Sequence, residues 1–169
     1  MELKLKVISQ GGIDAAISKA EVYRYLNEPG EAESICRDVL AVEPDNQAAL
    51  RLLGLAITDQ FTGAASDRHV EVKSIFQRLT GRYEQLYYTG LLHERRAKAQ
   101  LRAGQSPYAL RVLFEEAMRY FEEAEQIKPA GNDDAILRWN RCARLLQSRP
   151  SAEWRKELEP LDAGDSPPL

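Results

Sequence analysis

Apolar residues recur three and four positions apart in seven successive stretches of this chain, the spacing that lines one face of an α-helix. Ala16, Ile17, Ala20, Tyr23 and Leu26 mark a first helix from about Ile13 to Leu26. Asn27 reads as the cap of a second, with Pro29 in its first turn and Ala32, Ile35, Cys36, Val39 and Leu40 as its inner stripe. Pro44-Asp45-Asn46 closes that pair, and a third helix follows from about Gln47 to Phe61 through Leu50, Leu53, Gly54 and Ile57. After the small and polar residues 62–66, Asp67 is the expected cap of a fourth helix, whose stripe is Val72, Ile75, Phe76 and Leu79.

The next two helices are longer. No breaker interrupts Arg82 to Ala103, and Ser106-Pro107 supplies a cap and a first-turn proline for a helix reaching Lys128. A seventh helix, from about Asp133 to Gln147, carries Ile136, Trp139, Leu145 and Leu146. Only residues 1–10 break the helical period: Leu3, Leu5 and Val7 alternate with Glu2, Lys4 and Lys6, as a strand would. No strand partner follows, so residues 1–12 read as an extended lead, 13–148 as one all-α domain, and 149–169 as a mostly disordered tail.

Small residues set the spacing of the pairs. Ala20 and Ala32 let two helices approach closely, Tyr23 fills the space beside them, Pro44 stops the second helix, and Gly54 restarts the cycle 34 positions after Ala20. Ala117, Phe121, Ala124 and Pro129 repeat the second-helix pattern. This arrangement resembles the tetratricopeptide repeat family. The resemblance implies an α-solenoid of about three antiparallel helix pairs and a terminal capping helix, whose polar outer face would be Arg138, Arg141 and Arg144. The third pair departs from the pattern. Gly90 to Ala117 spans 27 positions against 12 from Ala20 to Ala32, so 15 extra residues are expected as added turns of a hairpin extending past its neighbours.

In that family the first helix of each pair lines a concave groove. By resemblance the groove residues here are Glu21, Arg51, Leu55, Tyr87, Leu91, Glu94 and Asn140. The family's chaperone-binding members hold a C-terminal carboxylate with lysines and asparagines, whereas Ile17, Glu21 and Leu52 stand near those places, which argues against that ligand. A second candidate surface is the hairpin tip, where Leu101, Tyr108, Leu110 and Leu113 lie in the added turns; any of them outside the helix–helix seam would form an apolar patch for a partner or a second copy.

Composition narrows the chemistry. A net charge of −3 argues against general electrostatic capture of nucleic acid, and no run approaches the roughly 20 apolar residues a membrane span needs. Cys36 and Cys142 form neither a CxxC pair nor a disulfide framework, and the start holds no apolar run of signal-peptide length; together these suggest a cytoplasmic protein. His69 and His93 lie on different helices without metal-site spacing. The glutamates of 115–125 read as a solvated helix face, and the basic run of 93–102 as another, or as a site for an acidic partner. With no catalytic residue set, metal or cofactor motif, the expected function is a non-catalytic scaffold binding a protein or peptide segment in the groove, with self-association through the hairpin. The alternative is an accessory or regulatory subunit that docks on an enzyme or secretion complex through that hairpin.

Overall fold

A computed structural model describes residues 3–63 and 68–148. Among them every regular element is helical: α1 (Ile13–Tyr25), α2 (Pro29–Val42), α3 (Gln47–Asp59), α4 (His69–Gln77), α5 (Arg82–Arg102), α6 (Pro107–Glu125) and α7 (Asp134–Gln147). None of these helices is long and apolar enough to cross a membrane. The expected cap at Asp67 and the tail from residue 149 onward lie outside the described residues.

Local chemistry places most of the boundaries. Asn46 caps α3 by accepting from the Ala49 N–H (2.9 Å), and Ser106 caps α6 by accepting from the Tyr108 N–H (3.2 Å). Asn27 is a correction. It does not cap α2 but ends α1, in the left-handed region at φ 59°, with the Asn27 N–H bonded to the Arg24 carbonyl (3.1 Å) and the Glu28 N–H to the Tyr23 carbonyl (2.9 Å). That pair of bonds satisfies two helix-end carbonyls, and asparagine tolerates the conformation better than most residues. Gly104 ends α5 in the same way, at φ 83°. The lead runs extended and unpaired to Ser9, and Gln10–Gly12 form one 3-10 turn that feeds directly into α1.

Each helix packs on the next, and the odd-numbered helices also touch one another, α1 on α3, α3 on α5 and α5 on α7. Pairs are antiparallel: Gln47 at the start of α3 accepts from the Thr80 N–H just past α4 (2.8 Å). The odd helices run the same way, since Arg24 and Asp59 meet near the ends of α1 and α3 (2.7 Å), and Tyr83 and Asn132 meet near the starts of α5 and α7 (3.2 Å). One apolar cluster joins α1 to α4 and takes Leu92 and Ala99 from α5; a second joins α5, α6 and α7.

Two glycines let paired helices approach closely. A Cβ on Gly54 would overlap the Phe76 ring, and one on Gly90 would lie 2.7 Å from Phe121 Cε1 and 3.2 Å from the Ala117 carbonyl. The first pair meets with Ala20 and Ala32, both fully buried.

Candidate functional site

The face formed by the odd-numbered helices carries two adjoining depressions. Glu21, Arg24 and Tyr25 of α1 with Arg51, Leu52 and Leu55 of α3 enclose one of about 260 Å³. Arg51 also borders the next, of about 200 Å³, with Gln47, Leu79, Thr80, Gly81, Glu84 and Tyr88. The two form a trough across α1, α3 and the first turns of α5, with Arg51 at its centre. Helical spacing explains the lining: Glu21, Arg24 and Tyr25 are three and four positions apart, so they share one face of α1.

Electrostatics distinguish Arg51 from its neighbours. Asp59 accepts from Arg24 Nε (2.7 Å) and from Arg95, and Arg95 Nη1 also donates to Thr58 Oγ1 (2.6 Å) and the Leu55 carbonyl (3.3 Å). Burial lowers the Arg95 pKa, against the opposing pull of Asp59. These cations are committed to holding α1, α3 and α5 together. Arg51, half-buried, has no hydrogen-bond or ion-pair partner among the described residues.

Glu21, Arg51 and Leu55 from the sequence reading thus meet in the trough. Tyr87 lies deeper, half-buried beside Tyr83, Tyr88 and Phe121 at ring separations of 5.1–5.9 Å. Asn140 is half-buried on α7 and lines neither depression. Leu91 and Glu94 are corrections: both are buried, Glu94 completely. Glu94 pairs with Lys98 one turn on and with Arg138 of α7 (3.6 Å). Burial opposes the charge of Arg138, but Glu94 and the Tyr87 hydroxyl outweigh it and raise its pKa. Glu94 faces inward where α7 meets α5 and brings Arg138 to it.

The hairpin tip is corrected likewise. Leu110 is buried, and Leu101 and Leu113 are half-buried against the second cluster, which includes Leu145 and Leu146 of α7. A Cβ on Gly63 would overlap Ala103, so the connection after α3 meets the far end of α5. Tyr108 (37% exposed) and Val112 (64%) are the large apolar side chains left open there. The basic run of 93–102 is interrupted too, since Arg95 and Lys98 are paired within the fold. On its other face His93 stacks on Tyr120 at 5.4 Å, and burial lowers its pKa.

Sequence reasoning missed Arg24, Tyr25, Glu84 and Tyr88 as trough residues. Tyr25, 90% exposed at the end of α1, was the available signal, an aromatic on the same helical face as Glu21. No protein-family model matches the chain, and a search of curated proteins finds no significant match.

Proposed function

We propose that the chain is a tetratricopeptide-like helical-repeat scaffold whose odd-helix trough binds an extended peptide segment, with no catalytic step of its own. The close approaches at Ala20, Gly54 and Gly90, spaced 34 and 36 positions apart along parallel helices, support the repeat reading. The observation that carries the binding reading is Arg51, an uncommitted guanidinium in the floor shared by two depressions. A carboxylate placed there would gain a charge-assisted hydrogen bond from a guanidinium that makes none to a described residue. Tyr25 and Tyr88 offer apolar walls with polar tips, the type of side chain that anchors peptides.

The test is selection of peptides from a displayed random library on the immobilised full chain, followed by titration against variants. Arg51→Glu should weaken selected peptides at least about ten-fold, or about 1.4 kcal/mol. Val112→Asp, on the opposite helix layer, should leave them unchanged. Peptides that bind Arg51→Glu as tightly as the parent would overturn the reading.

A further inference from the structure

Of eleven large apolar side chains exposed among the described residues, six fall before residue 27: Leu3, Leu5, Val7, Val22, Tyr25 and Leu26. The other five are spread over α4, α6, α7 and the turn after α6. This clustering follows from α1, which is apolar on two faces. Ile13, Ala16, Ile17 and Ala20 pack inward. Ala15, Val22 and Leu26, at positions i, i+7 and i+11, form a second stripe open to solvent, with Val22 53% and Leu26 61% exposed. At the opposite end of the molecule α7 instead presents Arg141 and Arg144. The α7 end sets these charges beside one exposed large apolar side chain, Leu137, whereas six are exposed at the α1 end.

We propose that a second copy of this chain covers the α1 end, its α1 antiparallel to the first about a two-fold axis. The stripe is complementary to itself. Its amino-terminal end is small at Ala15 and its carboxy-terminal end large at Leu26, so an antiparallel copy sets Ala15 of each chain against Leu26 of the other. The same register lays the Lys19 stem over Val22. The lead fits this arrangement. Its backbone leaves from Ile8, which lines a groove with Ala15 and Ala16, and so starts beside Leu26 of the second copy. Leu3, Leu5 and Val7, 80–91% exposed, touch little of their own chain and can extend along that copy. Lys4 and Lys6 then approach the exposed carboxylates Glu28 and Glu31 at its α1–α2 turn.

Sedimentation equilibrium of the full chain at micromolar concentrations should give twice the 19.1 kDa chain mass. Val22→Glu with Leu26→Glu alters two exposed positions, and should give a monomer with unchanged circular dichroism. In the Ala15→Cys, Leu26→Cys double variant, mild oxidation should produce a covalent dimer. The two positions lie three turns apart on one helix, so they cannot bridge within a chain, and Cys36 and Cys142 are buried. A parent that sediments as a monomer would overturn the proposal and free this face for a different protein. A dimer that survives the two glutamates, or fails to link 15 to 26, would overturn it equally.

Discussion

The two halves of the molecule are tied by ions in opposite ways. In the first half, α2 and α4 are joined at the solvent border: Glu33 accepts from Arg68 (2.6 Å), Arg37 (2.7 Å) and Gln60 (2.7 Å), while Arg37 and Arg68 also reach Glu71. In the second, α5 and α7 are joined through Glu94, which sees no solvent. The border network has every oxygen served and can be hydrated when it opens. At the buried site Glu94 Oε2 has no hydrogen bond and relies on charge alone, so its balance depends on both cations staying in place. Beneath both, the packing is alike: a phenylalanine of the even helix lies on a glycine of the odd one.

That likeness predicts the largest effects. Phe76→Ala and Phe121→Ala should each cost about 3–5 kcal/mol in chemical denaturation, because each removes a fully buried ring from a space its glycine cannot fill. A much smaller loss at one of them would break the equivalence of the hairpins. Next is Glu94→Gln, expected to cost about 2 kcal/mol because Lys98 and Arg138 lose their shared carboxylate. Unchanged stability would mean that the buried pair merely breaks even against its desolvation. The smallest effect belongs to the border network. Hydrogen bonds from Arg68, then Arg37 and Gln60, bring the Glu33 pKa down from 4.5 to about 2 against the effect of burial. Its stabilisation is therefore complete above pH 4.5 and lost as pH falls toward 2. Allowing for solvent screening of its partners, this amounts to about 1–2 kcal/mol. Glu33→Gln should flatten that part of the stability–pH curve, and a curve of unchanged slope would assign the acid loss to other carboxylates.

Helices and close approaches were legible because they are local. Ser106 before Pro107 announces a cap, and Gly54, Gly90 and Ala117 mark contacts by their size. Asn27 was misread because the neighbouring Pro29 makes any asparagine before it look like a cap, whereas its own φ serves the helix behind. Glu94 and Leu110 were offered as contact residues because their burial depends on how α5, α6 and α7 come together. Counting turns shows that α5 and α6 are long but not what lies against the added length. Arg51 was named a groove residue through the resemblance to the repeat family. That it is uncommitted while Arg24 and Arg95 are bound to Asp59 is a matter of tertiary contact, which spacing does not carry.

The central functional claim is that ligand binds on the odd-helix face rather than at the hairpin tip. Hydrogen–deuterium exchange of the full chain, with and without a selected peptide, reads this directly. Slowed exchange is expected in the last turns of α1, along α3 and in the first turns of α5, around Tyr25, Arg51 and Tyr88, with residues 103–113 unchanged. Protection confined to 103–113 and the start of α6, with the trough unaffected, would contradict the account.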